Sequence, residues 1–122
     1  TYDPSWIGLW TQRFGDPLID AETFRLDECN NLVEIGNVPK SVEEVQGQYM
    51  GLLRFTPASW KEVERIRRGL SPLKLNKIDM TGLLQKVIES NNINVKAIPY
   101  LEEWGEVDTQ EDLSVYKNRK NL

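Results

Sequence analysis

The sequence predicts an α/β layered domain, a mixed sheet with flanking helices, and three observations carry that prediction. Candidate helices and strands alternate after residue 46, a pattern that neither a bundle nor a sandwich shows. The strongest helical pattern places Met80, Leu83, Leu84, Val87 and Ile88 at i, i+3, i+4, i+7 and i+8, and the alternating run Ile93, Val95, Ala97 follows it. A length of 122 residues, 39% of them hydrophobic and 28% charged, suits one domain with a core of its own.

Asp3-Pro4 opens the first helix, because an Asp side chain accepts first-turn amide hydrogens and Pro loses nothing at the first helical position. Trp6, Trp10 and Phe14 recur every four residues as its apolar face, and Gly15-Asp16-Pro17 ends it. Thr23 to Leu26 alternates, Asp27 to Asn31 supplies turn chemistry, and Leu32 to Ile35 resumes, which signals a β-hairpin. Residues 36–45, with Gly36, Pro39 and Ser41, read as a loop. Tyr49 to Thr56 is apolar and aromatic and predicts a buried strand.

Thr56-Pro57 and Ser59-Trp60-Lys61-Glu62 then offer two overlapping helix starts, the second with capping-box spacing. Trp60, Val63, Ile66 and Leu70 line one side of that helix, and Gly69 and Pro72 end it. Asp79 caps the strongest helix, which closes at Ser90-Asn91-Asn92. Ile93 to Ala97 predicts a strand up to Pro99, and Trp104 to Asp108 a second extended piece. A last helix runs from about Thr109 to Lys117, before a polar, basic tail. Trp6, Trp10 and Trp60 are expected in the core. Four or five short strands make a thin sheet whose edges need cover.

Composition excludes several functions. The absence of histidine removes Ser-His-Asp and Cys-His nucleophilic schemes and the usual zinc sites. Any bound metal must therefore sit among oxygen ligands, which suits magnesium, manganese or calcium. A single cysteine, Cys29, forms no internal disulfide, so a reducing, cytoplasmic setting is expected. A net charge of −4 without a basic block argues against a nucleic acid polymer as partner. No apolar run reaches the roughly 18 residues of a membrane span. Opening on Thr1 hints at trimming. Neither a P-loop nor a GxGxxG run is present, so a nucleoside triphosphate has no evident cradle.

Residues 104–113 carry the most chemistry. In an extended segment Trp104, Glu106 and Asp108 point to one side, placing two carboxylates and an aromatic before one space, a seat for a hard divalent cation. Asp108 with Glu111 three residues on is equally a helix-capping pattern. Trp104, off any apolar helix face, offers itself as one wall of a pocket. Gly47 and Gly51, flanking Gln48-Tyr49-Met50, suit either close approach of another backbone or a ligand, or a β-bulge. Asp16, Asp20, Glu22, Asp27 and Glu28 read as solvated loop and turn residues.

Residues 104–116, Trp-Gly-Glu-Val-Asp-Thr-Gln-Glu-Asp-Leu-Ser-Val-Tyr, resemble the closing motif of the sugar-phosphate type nucleotidyltransferases. Residues 16–24, 43–52 and 79–84 are similar to the branch with phosphocholine and phosphonate cytidylyltransferases. The resemblance implies the C-terminal half of a Rossmann-like domain, with the nucleotide-binding half, its phosphate-gripping loop and the first metal-binding Asp not found in these 122 residues. It further implies Mg2+ held by Asp108 with Glu106 beside it, and an acceptor site bordered by Gln48, Tyr49, Gly51, Asp79 and Trp104. The expected reaction moves a nucleotidyl group, CMP from CTP, to a small phosphate or phosphonate acceptor and releases pyrophosphate. The chain alone is expected to be inactive, its sheet edge awaiting a missing N-terminal half or a second copy. The rival readings are a non-catalytic small-molecule binding module of that fold and a fragment of a sugar-phosphate nucleotidyltransferase.

Overall fold

Tyr2 and Asp3 form strand β1, two buried residues with pairing on both sides. In the computed structural model, which describes residues 1–119, β1 runs antiparallel to β4 (Gln48–Tyr49), with Tyr2 opposite Tyr49. The Thr1 ammonium and carbonyl continue this pairing to Leu52 O and Met50 N, at 3.1 and 3.2 Å. On its other flank Tyr2 N donates to Ile98 O at 3.0 Å and Tyr2 O accepts from Tyr100 N at 2.8 Å. The end of the basic tail, residues 120–122, lies outside the described residues.

Helix α1 (Trp6–Phe14) starts later than the sequence predicts, with Ser5 as its cap position. Asp3 serves the turn before it, accepting from Ser5 N at 2.7 Å. The four-residue period holds: Trp6 and Trp10 are buried, their indoles donating to Val45 O and Asp20 O. Gly15 ends the helix at φ +78°.

The hairpin forms as the sequence predicts, β2 (Phe24–Leu26) against β3 (Leu32–Ile35), with Phe24 opposite Ile35. Its turn closes on the Asp27 carboxylate, which accepts from Cys29 N and Asn31 N at 2.8 Å each. The expected loop 36–45 holds a short 3-10 turn at Val42–Glu44.

The expected buried strand at Tyr49–Thr56 does not form. Beyond Tyr49 the segment is irregular, none of its residues is fully buried, and Leu52 is 62% exposed. Strand propensity requires a neighbour to pair with, and β1 offers only two residues.

Helix α2 (Pro57–Arg68) uses the earlier of its two starts. Thr56 caps it, exchanging hydrogen bonds with Ser59 in a capping box. Only Val63 of this helix is buried, and Trp60 is 38% exposed, so Trp60 is not the core residue the sequence suggests. Pro72 starts a helix as well as ending one: Ser71 caps α3 (Pro72–Lys77) with Pro at its first position, an element the sequence reading lacks.

Asp79 caps α4 (Met80–Ser90) as expected, accepting from Gly82 N at 2.8 Å. The helix buries Leu83, Leu84 and Val87, and the Gln85 amide oxygen accepts from Ile35 N, tying it to β3. The expected strand at Ile93–Ala97 is reduced to bonds along the hairpin edge, Leu32 N to Val95 O and Ala97 N to Asn30 O. Residues 104–108 run without strand partners into α5 (Gln110–Arg119).

Helix and strand content is mixed and compatible with an α/β fold. Among the described residues the strands form two small antiparallel sheets, with isolated bridges from Tyr2 to Pro99, Phe24 to Val45 and Asn31 to Lys96, in place of the single mixed sheet expected. Trp6, Trp10 and Val45 pack one cluster, Tyr2, Phe24, Ile35 and Leu84 a second, and Val63 with Val87 a third. No helix among the described residues is long and apolar enough to cross a membrane.

Candidate functional site

Four stretches distant in sequence converge on one cleft of about 490 Å³. The β4 end contributes Gln48, Tyr49 and Gly51; the cap of α4 contributes Asp79; the closing segment contributes Glu106. Five of the seven predicted site residues therefore share one space. Asp20 and Glu22 also line it, so these two are site-facing rather than merely solvated, as the sequence alone suggests. Asp16 and Asp27 remain turn residues, Asp16 accepting from Leu18 N at 3.0 Å.

The two glycines act differently. Gly47 is buried against the ring of Tyr2, which occupies the space a side chain would need. Gly51 turns the chain at φ +76° on the rim of the cleft, a conformation that favours glycine. Close approach, not a bulge, explains Gly47.

The cleft is acidic, and its charges disfavour one another. Burial pushes the Glu22 carboxyl above its ordinary range; Thr81 pulls it back and Asp79 and Asp20 push further. Burial likewise raises Glu106, aided by the charge of Asp108 and opposed by Arg13. Asp20 is raised by burial and opposed by Arg13. The Tyr49 phenol is raised by burial and then by Glu22 and Asp79, so it stays a neutral donor near pH 7. A cationic or amide-bearing group entering the cleft relieves this repulsion.

Trp104 is not part of the cleft lining. Its indole donates to the buried carboxylate of Asp3 at 2.7 Å, and its ring lies 6.0 Å from that of Trp10. Trp104, Glu106 and Asp108 address one side, where Trp104 meets Asp3 and Trp10 and the two carboxylates meet Arg13, while Glu106 also reaches the cleft.

Arg13, which the sequence reading does not single out, organises the closing segment. Its side chain is 0% exposed, with the guanidinium carbon 4.7 Å from the ring centroids of both Trp10 and Phe14. Nε and Nη2 grip Asp112 bidentately at 2.8 and 2.9 Å. Nη2 also meets Asp108 Oδ2 at 3.2 Å, while Nη1 stands 3.7 Å from Glu106 Oε2. The Asp112 carboxylate is thereby held well below the usual carboxylate range, Arg13 being the chief cause. The signal available in the sequence was position: Arg13 follows Trp10 by three residues, on the edge of the apolar face of α1.

The expected Asp108–Glu111 cap does not form; a different pair closes the helix start. Thr109 N donates to Asp112 Oδ2 at 3.1 Å and Asp112 N to Thr109 Oγ1 at 3.1 Å, a reciprocal box one residue beyond the expected Asp108–Glu111 pair. This leaves Asp108 outside the cap, its side chain 60% exposed and its Oδ1 without a partner among the described residues. Asp108 can therefore offer an oxygen ligand to a cation, and Glu106 a second. Among the described residues no three possible metal ligands converge closely enough to form a metal site.

Over 119 residues the chain is 34% identical to the CTP:phosphoglutamine cytidylyltransferase of Campylobacter jejuni, a match covering 93% of this chain and 46% of that protein. The chain thus spans about half the length of the curated relative it matches. No family model matches, and no solved structure matches. The likeness to cytidylyltransferases read from residues 16–24, 43–52 and 79–84 is borne out at the level of the whole chain, which is cytidylyltransferase-like in sequence.

Proposed function

We propose that this chain is the acceptor-binding, metal-completing C-terminal half of a cytidylyltransferase whose Rossmann-like domain is completed by a nucleotide-binding half. The reaction transfers CMP from CTP to a small phosphate or phosphonate acceptor and releases pyrophosphate. The observation that supports this most is the convergence of Gln48, Tyr49, Gly51, Asp79 and Glu106 on one cleft, from positions up to 58 residues apart in the sequence.

The lining supports one orientation of the acceptor. Asp20, Glu22 and Asp79 repel a phosphate and attract a donor, so they receive the ammonium or amide end of the acceptor. The Tyr49 hydroxyl and the Gln48 amide orient that end, and the phosphate is directed toward Glu106 and Asp108. The relative named for phosphoglutamine, whose acceptor carries such a donor end, fits this orientation. Asp108, with Glu106 beside it, would hold Mg2+, which when bound neutralises the developing phosphoryl charge. Asp108 contributes from a backbone fixed by the Asp112 cap, so its carboxylate is presented rather than searched for.

Amide NMR of the labelled chain tests the acceptor assignment with choline phosphate, aminoethylphosphonate, phosphoglutamine and glucose 1-phosphate. Shifts at residues 20–22, 48–51 and 79–82 with a donor-bearing acceptor, and none with the sugar phosphate, are expected. Shifts with the sugar phosphate alone would overturn the acceptor class. In the complete enzyme Asp108→Ala abolishes CTP turnover; normal turnover would remove the metal assignment.

A further inference from the structure

Residues 54–86 hold eight of the chain's 15 Lys and Arg but only three of its 19 Asp and Glu, a basic stretch in a chain of net charge −4. On α2 part of that charge is answered within the helix, Arg65 by Glu62 and Arg68 by Glu64. Beyond α2 it is not. Lys74 and Lys77 of α3 and Lys86 of α4 line a groove of about 430 Å³ together with Leu73 and Ile78. None of the three lysines has a carboxylate within ion-pair distance among the described residues. Leu73 is 73% exposed, so an apolar surface lies open beside unanswered positive charge.

The complement of that surface lies elsewhere in the same chain. Among the described residues the most exposed large apolar side chains are Val38, Leu101 and Leu73, at 89%, 78% and 73%. Val38 is followed by Pro39 and Lys40, whose charge a lysine-lined groove repels. Leu101 is followed by Glu102 and Glu103, both exposed and neither in an ion pair among the described residues. This knob is held at both ends: Tyr100 N donates to Tyr2 O at 2.8 Å, and the Trp104 indole donates to Asp3 at 2.7 Å. Three exposed residues between two buried anchors are ordered before a partner arrives, so docking them costs little conformational entropy.

We propose that the groove between α3 and α4 receives Leu101, Glu102 and Glu103 of a second copy of this chain, the leucine against Leu73 and Ile78 and the carboxylates against Lys74, Lys77 and Lys86. Every copy carries both patches, so a pair that closes about a two-fold axis makes the contact twice. A contact built on one leucine and two carboxylates stands below the roughly 1,200 Å² of a stable interface, so the association is weak. Led by exposed charge, it is also sensitive to salt.

Sedimentation velocity of the 122-residue chain over a concentration series tests this, with folding checked by circular dichroism. Two charge-reversed chains are compared with the unmodified one: Lys74→Glu with Lys77→Glu, and Glu102→Lys with Glu103→Lys. The unmodified chain is expected to associate at low salt and to dissociate as salt is raised. In each reversed chain knob and groove carry like charge, and self-association is expected to weaken by about tenfold or more. An equal mixture of the two restores it, because each then offers the other an opposite charge. Pairing through the strand edge beside β1 would not respond to these residues, so the rescue singles out the groove.

An unmodified chain that stays monomeric at every concentration overturns the proposal. So does association that is equal in the reversed chains, or a mixture that associates no better than its components. Where a reversed chain does not fold, Leu101→Ser decides, since it leaves every charge in place. Weakened self-association in that variant supports the docking of Leu101, and unaltered association overturns it.

Discussion

Replacing Asp112 by alanine removes the charge that compensates a fully buried guanidinium. Asp112 accepts two hydrogen bonds from Arg13 and one each from the backbone N–H of Asp108 and Thr109. Breaking a buried ion pair by deleting one partner costs about 3–5 kcal/mol when the other charge is stranded, and Asp108 and Glu106, still 3.2 and 3.7 Å from Arg13, set the loss at the lower end of that range. The two lost backbone acceptors contribute about 1 kcal/mol each, and the terms overlap, so about 4 kcal/mol is expected in total. That is a large share of the roughly 5–15 kcal/mol that holds a domain folded.

Urea unfolding followed by tryptophan fluorescence reads this directly, since Trp10 lies against Arg13. With a urea dependence of about 2 kcal/mol per molar, the midpoint falls by about 2 M. Asp112→Asn keeps an acceptor for the cap but not the charge, so it falls between the two. The linkage has a definite sign. Asp112 titrates well below its unfolded value of about 3.9, so its stabilisation is complete above that value and is lost as the pH falls below it. The deficit of Asp112→Ala is therefore equal at pH 7 and pH 5 and shrinks below about pH 4. A midpoint shift under about 0.5 M at pH 7 would refute the stranded-charge argument.

Asp20, Glu22 and Glu106 titrate above their ordinary values in the folded chain, so they stabilise it when protonated and this stabilisation is lost as the pH rises through their raised values. The urea midpoint is expected to rise as the pH is lowered through these raised values and to fall below about pH 4 as Asp112 takes over; a steady decline from pH 7 downward would contradict this. The Tyr116 hydroxyl accepts from Glu106 N and donates to Glu106 O, both at 2.9 Å. Tyr116→Phe should cost about 1–2 kcal/mol and speed hydrogen exchange at the Glu106 amide, and unchanged protection there would count against that role. Gly47→Ala sets a side chain into the Tyr2 ring beside β4 and should cost about 1–3 kcal/mol, seen as a lowered thermal midpoint; an unaltered midpoint would show that the ring moves freely.

What the sequence revealed was local. Helices α1 and α4 and the hairpin were legible because their periodicity, caps and turn residues lie within one element, as with Asp79 and Asp27. The strand at 49–56 was not, because its apolar run has no neighbour long enough to pair with beyond Tyr49. Pro72 was ambiguous by chemistry, since a residue that cannot continue one helix is well suited to begin the next. In the site, Gln48, Tyr49, Gly51 and Asp79 stood out as short runs. Asp20 and Glu22 looked like ordinary loop carboxylates until folding set them in the cleft. Arg13 acts across 95 and 99 residues, on Asp108 and Asp112, and no local pattern encodes a partner that distant.

The spacing of the closing motif follows from these contacts. Asp112 must stand three residues past Thr109 to close the capping box, and on that turn its carboxylate also faces Arg13. Asp108 precedes the cap, so its backbone N–H is fixed by Asp112 while its side chain stays outside the helix and largely in solvent. One carboxylate is therefore committed to the fold and the other kept available, although both touch the same guanidinium. Inserting a single residue between them would turn Asp112 about 100° around the helix and forfeit the cap, the buried pair and the setting of Asp108 together. A motif that reads as a string of surface charge is thus a division of labour fixed by the helical turn.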